Sequence, residues 1–167
     1  MNSIILASQS EVRRKILQDN GIKCFSEPPK VDEDIVKESL LKEGSNPEFI
    51  SKNLAELKAN KISAKFPDKI VIGADSVIDL DGKIISKPKN RDEALEILKK
   101  LNGKKHHLIS SVCISRNGGM IWNYTDKAEL IMKNFSIDEL SKYLSKISDK
   151  NLYSYNVYQI EGQGKNL

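Results

Sequence analysis

The sequence predicts one mixed α/β domain. Short β-prone apolar runs alternate with amphipathic stretches that carry helix caps. Two tight-turn signals, Asp81-Gly82 and Asn117-Gly118-Gly119, fold neighbouring strands back on one another. There is no internal repeat, low-complexity segment or linker, so residues 1–167 read as a single domain long enough for a sizeable core.

Residues 3–7 read as a buried strand. Ser8-Gln9-Ser10-Glu11 then fits a capping box, with Glu11 three residues after Ser8, and Val12, Ile16 and Leu17 give an apolar helical stripe. Gly21 ends that helix, "IKCF" resumes as strand, and Pro28-Pro29 break the pattern before the acidic "VDEDIVKESL". Ser45-Asn46-Pro47-Glu48 fits a second capping box with proline in the first turn, followed by Ile50, Leu54, Leu57 and Ile62 at helical spacing. "KIVIGADSVIDL" is a strand interrupted by glycine, and Asp81-Gly82 turns it into "KIIS". A helix from Arg91 to Leu101 is closed by Gly103. The long strand pair "HHLISSVCISR" and "MIWNYTDKAELIMKNF" leads to a helix capped by Ser136 and Glu139, and turn residues gather around Glu161.

Composition narrows the function classes. With 39% hydrophobic and 30% charged residues, the chain suits a soluble globular protein and neither a disordered nor a membrane class. A net charge of +4 and a pI near 8.9 favour an anionic ligand. The basic residues are dispersed and aromatics are only 6%, which argues against a nucleic-acid surface. Cys24 and Cys113 belong to no CxxC pair and read as buried thiols of a reducing compartment. With no basic start and apolar core of a secretion signal, the cytoplasm is the expected location.

Two stretches carry chemistry. "IILASQSEVRRKIL" runs a strand into a serine-rich turn and a helix, and holds two of the chain's four arginines. Free backbone N–H groups and the positive helix end point at whatever sits above such a turn. Ser8 and Ser10 add hydroxyl donors, and Arg13 and Arg14 can fork onto phosphate oxygens. The stretch is not a P-loop, and its structural alternative is a capped helix with an exposed flank. "VIGADSVIDLDG" places Asp75 after a glycine that admits close backbone approach, where a carboxylate can hold a metal or activate water; the alternative is a turn cap. Asp79 and Asp81 read as solvent-facing. Glu33 can be a metal or water ligand or part of an ordinary acidic loop, and Lys87, before Pro88, is a phosphate point charge or an exposed loop lysine. His106 and His107, being adjacent on a strand, face opposite ways and do not share a metal.

Together these stretches resemble the Maf family of nucleoside triphosphate pyrophosphatases. The match runs in order: "LASQS" with Arg13-Arg14, Asp32-Glu33, "NLAELKA" with Lys58, "VIGADSV" with Asp75, "SKP" with Lys87, "HHLISSV" and "YQIEGQG". The resemblance implies a twisted mixed sheet flanked by helices around a central cleft, similar to the inosine-triphosphatase (Maf/Ham1-like) fold. It implies hydrolysis between the α and β phosphorus of a nucleoside triphosphate, releasing pyrophosphate, with a role in removing non-standard nucleotides. Asp75 matches the proton acceptor; Ser8, Ser10, Arg13, Arg14, Lys58 and Lys87 bind the triphosphate. A divalent cation, Mg²⁺ or Mn²⁺, falls to Asp75 and Glu33. A homodimer is the family's expectation.

The departures from the family pattern bear on specificity. The usual proline after the second serine is Glu11, and Val12, Ser76 and Glu161 occupy the family's three specificity positions in a mixture that fits neither its thymidine and uridine triphosphate group nor its 7-methyl-GTP group. Glu161 matches the 7-methyl-GTP group, and a carboxylate there accepts the paired N–H donors of a guanine edge, so the expected base is guanine-like or modified. "YSYNVY" replaces the commoner "DKAGAY", and the resemblance implies a C-terminally truncated domain that lacks the family's last strand and helix. The alternative from a different class is a nucleotide-binding, regulatory protein that keeps the cleft but hydrolyses little.

Overall fold

In the computed structural model, which describes residues 4–159 and 162–167, Ile4–Leu6 (β1) leads through a short turn to Glu11–Asp19 (α1), followed by Cys24–Ser26 (β2). Next come helices Glu33–Lys42 (α2) and Pro47–Lys65 (α3), strands Val71–Leu80 (β3) and Lys83–Ile85 (β4), and helix Arg91–Leu101 (α4). Strands Lys105–Arg116 (β5) and Gly119–Ile131 (β6) precede helices Ile137–Ser145 (α5) and Asp149–Tyr155 (α6) and a 3₁₀ turn at Gln163–Asn166. Among the described residues the sheet has six strands in the order β2-β1-β3-β5-β6, with β4 on β3. It is mixed: β1 runs parallel to β2 and β3, whereas β4 is antiparallel to β3. Among the same residues no helix is long and apolar enough to cross a membrane.

Packing gathers these elements into two compact units. The first comprises the chain up to Val77 with Ile109–Lys127. Its core joins Ile5, Ala7 and Val71 of the sheet side to Ala55, Ala59 and Ile62 of α3, with Cys113 beside them. α3 buries Ile50, Ser51, Leu54, Ala55, Lys58, Ala59 and Ile62, a stripe at three- and four-residue spacing. Gly73 is what lets α3 lie so close to β3. A methyl group there would collide with the carbonyl oxygen of Ala55 and sit 2.8 Å from Cβ of Ala59. β6 ends the strand order, and Trp122 on it is 49% exposed, stacked on Tyr124 with ring centroids 6.2 Å apart.

The second unit comprises Ile78–Leu108 with Ala128–Leu167. Ile78, Leu80, Leu98, Leu101, Leu140 and Leu144 lead its core. Arg91 Nη1 donates to Leu144 O at 2.9 Å and Nη2 to Ile147 O at 2.8 Å, satisfying carbonyls at the end of α5. His106 is buried, with Nε2 2.8 Å from the Tyr158 hydroxyl. Burial pushes its imidazole below the usual value, and the neighbouring His107 adds to the shift. Burial also pushes the Tyr143 and Tyr158 phenols up to about 12.

Several local expectations change. Ser10, not Ser8, caps α1, because the Ser8 hydroxyl accepts the Ser10 amide and the helix begins only at Glu11. α1 buries none of its residues, and Ile16 is exposed. Asn46, not Ser45, caps α3, with Pro47 in the first turn; Leu57 lies off the buried stripe. The acidic stretch after Pro29 is helix α2, capped by Asp32, so Glu33 is a first-turn helical residue. Asp79 is buried rather than solvent-facing: Oδ1 accepts the Gly82 amide at 2.8 Å and closes the turn. β3 runs unbroken through Gly73, and Cys24 is half-buried. The two hairpin turns agree with expectation, with positive φ at Asp81 and Gly82 and at Asn117 and Gly118.

Gly73→Ala is expected to lower stability by about 3 kcal/mol through overpacking against α3, read as a shift in the urea midpoint at unchanged slope. His106 generates a pH dependence. Its folded value lies below the ordinary 6.5, so its stabilising share is complete above 6.5. That share is lost as pH falls below 6.5, where the unfolded chain takes up a proton that the folded one resists. Urea melts across that range should fall less steeply with acidification in His106→Gln than in the wild type.

Candidate active site

β1 stops at Leu6, and the chain crosses Ala7–Ser10 before turning helical. Ser10 Oγ accepts the Arg13 amide at 3.3 Å, and Ser8 Oγ accepts the Ser10 amide at 3.1 Å, so both hydroxyls organise this turn. The Ala7 amide donates to Ile72 O at 2.8 Å. Ala74 O is the next carbonyl on that edge of β3, and Arg13 Nη1 takes it at 2.8 Å while lying 3.4 Å from Ser8 Oγ. A guanidinium thus completes the sheet edge where β1 has ended.

Asp75 follows immediately. Successive strand side chains alternate, so Asp75 shares the face of Gly73, toward α3, and is 3% exposed. Its Oδ1 accepts Lys58 Nζ at 2.8 Å, and the same nitrogen lies 2.8 Å from Glu33 Oε1. Glu33 Oε2 is 3.8 Å from Lys37 Nζ. Lys58 is itself 4% exposed, so an ammonium is buried between two carboxylates and ties α2, α3 and β3 together. Ser51 Oγ donates to the Asp75 carbonyl at 3.2 Å. Asp75 Oδ2 is buried and has no hydrogen-bond partner among the described residues. An orphaned buried oxygen costs about 1–3 kcal/mol, and this one is a ready acceptor for a water, a proton donor or a cation.

The remaining residues singled out in the sequence divide. Ser8, Ser10, Arg13, Glu33, Lys58 and Asp75 are linked by these contacts within the first unit. Arg14 is exposed on α1 and Val12 half-buried. Ser76 points to the face opposite Asp75, exposed, with Oγ 2.9 Å from Ser110 Oγ. Lys87 belongs to the second unit, exposed between β4 and α4, and Glu161 lies outside the described residues. Ser51 and Ser110 were not singled out. Ser51 could have been found from its place on the apolar stripe of α3, two turns before Lys58.

A family model described as Maf-like protein matches residues 3–167. This chain belongs to the Maf-like protein family. It is 71% identical over 167 residues, 100% of this chain and 86% of the relative, to a nucleoside triphosphate pyrophosphatase of Pelagibacter ubique (strain HTCC1062). It is 35% identical over 164 residues, 98% of this chain and 82% of the relative, to a 7-methyl-GTP pyrophosphatase of Rhizobium etli. Among solved structures, a HAM1 protein from Coxiella burnetii aligns with a TM-score of 0.46 and 14% identity, over 77% of this chain and 71% of that one.

In this Maf-like chain, Lys58→Met leaves Asp75 and Glu33 facing each other without the charge between them. Removing one member of a buried ionic cluster is expected to cost about 3–5 kcal/mol, measured by urea unfolding. A double variant Lys58→Met/Asp75→Leu, which also removes the fully buried one of the two carboxylates and leaves Glu33 beside Lys37, should recover much of that loss.

Proposed function

We propose that this Maf-like protein is a nucleoside 5′-triphosphate pyrophosphatase in which Asp75 is the proton acceptor. It is a hydrolase of acid anhydrides: water attacks the α-phosphorus, the bond to the bridging oxygen breaks, and pyrophosphate leaves a nucleoside monophosphate. The observation that carries the assignment of Asp75 is its divided carboxylate, with Oδ1 bonded to Lys58 and Oδ2 buried without a partner. A carboxylate held by one oxygen presents the other in a fixed direction, which is what a group that orients water and takes its proton requires.

Polyphosphate binding falls to the turn before α1 and its first residues. Ser8, Ser10, Arg13 and Arg14 supply hydroxyl and guanidinium donors beside a helix N-terminus, and these neutralise charge as it moves onto the leaving pyrophosphate. Lys58, though engaged with two carboxylates, is the further cation of the first unit assigned to phosphate, and Lys87 keeps the phosphate role that the family resemblance implies. For a divalent cation the site offers two carboxylates, with no third acidic, histidine or cysteine ligand beside them among the described residues. Asp75 offers a buried, unpaired oxygen with Glu33 as second carboxylate, and Mg²⁺ or Mn²⁺ completes such a shell with phosphate oxygens and water. When bound, the ion supplies Lewis-acid stabilisation of phosphate charge.

Glu161 directs the base reading toward a guanine-like or modified purine, since a carboxylate accepts the two N–H donors of a guanine edge. Val12 and Ser76 are the other specificity positions. A cytoplasmic enzyme that clears non-standard nucleotides is the role this supports. Pyrophosphate release on a panel of triphosphates with Mg²⁺ or Mn²⁺ tests it. Guanine-type substrates should lead, and Asp75→Asn should lower kcat about a thousandfold. Preference for dTTP or UTP would overturn the base assignment, and an active Asp75→Asn would overturn the role of Asp75.

A further inference from the structure

We infer that Ser51 is a positioning residue for Asp75, holding the main chain of the residue whose side chain Lys58 holds. The inference rests on the reading of Asp75 as proton acceptor. Both anchors lie on the buried stripe of α3, seven residues apart. Seven residues are about two helical turns, so the two side chains leave the same face of one rigid element. Lys58 Nζ bonds Asp75 Oδ1 at 2.8 Å, and Ser51 Oγ bonds Asp75 O at 3.2 Å. With carbonyl and carboxylate both referred to α3, the torsions between them are fixed, and so is the direction in which Oδ2 faces.

A serine within a helix commonly faces solvent or turns its hydroxyl back onto a carbonyl of the preceding turn. Ser51 instead reaches out of its helix to β3, from a position that is fully buried and closed to substrate. The bond exists because α3 and β3 approach so closely at Gly73, two residues before Asp75. On the other side Arg13 holds Ala74 O, the carbonyl of the peptide that enters Asp75. The peptides on either side of the Asp75 α-carbon are therefore each held by a side-chain donor.

Ser51→Ala, which deletes one oxygen without adding volume, is the test, with Ser51→Thr as the variant that keeps the hydroxyl. In nucleotide hydrolysis Ser51→Ala should lower kcat about tenfold with KM within twofold, and Ser51→Thr should recover at least half of the lost rate. A crystal structure of Ser51→Ala should show the Lys58–Asp75 contact lengthened or lost. A rise in KM at constant kcat would overturn the inference. So would a fall in Tm with the rate and the 2.8 Å contact both unchanged, since that would make Ser51 merely structural. Absence of pyrophosphate release by the wild type would defeat the functional reading instead, and the geometry of Asp75 in the Ser51→Ala crystal would then decide the positioning role alone.

Discussion

An ammonium group taken out of water is the constraint around which the first unit is arranged. Lys58 loses its hydration on α3 and regains partners only because β3 delivers Asp75 and α2 delivers Glu33, each at 2.8 Å. Desolvation on this scale is tolerated where geometry is good and the partners are charged. Three elements distant in sequence are thereby obliged to meet at one nitrogen. Lys37, 3.8 Å from the other oxygen of Glu33, stands beside the second carboxylate, so the cluster sets two lysines against two carboxylates. The turn before α1 is of a different character, gathering hydroxyls, backbone amides and the Arg13 guanidinium.

The boundary between those two regions is narrow. Arg13 reaches from the turn before α1 to Ala74 O, the carbonyl of the residue before Asp75. Ending β1 early frees the Ala7–Ser10 backbone for the turn, at the cost of an unpaired strand edge, and the guanidinium removes that cost.

Much of this was legible in the sequence, and the reasons for the failures are physical. The hairpin turns were readable because Asp-Gly and Asn-Gly tolerate positive φ, and the capping box at Ser136 because its two hydrogen bonds are local. Asp75 stood out as a charge within an apolar run. Caps at Ser10 and Asn46 were misplaced by one or two residues, since neighbouring serine and asparagine side chains compete for the same amides. The helix after Pro29 was missed because its apolar face is weak and it buries none of its residues. Asp79 takes part in a local contact, a three-residue reach to the Gly82 amide, whereas the Ser51 bond to Asp75 is beyond local reading because it depends on a helix approaching a strand.

The chain's single tryptophan lies at one margin of the sheet, half in solvent, its indole nearly parallel to the Tyr124 ring. Intrinsic fluorescence excited at the indole band therefore reports on the surface of β6 rather than on the interior. Its emission begins close to that of a hydrated indole, so the colour change on denaturation is small. Far-ultraviolet circular dichroism, which follows α3 and α4 directly, is the more faithful optical window on melting of this molecule.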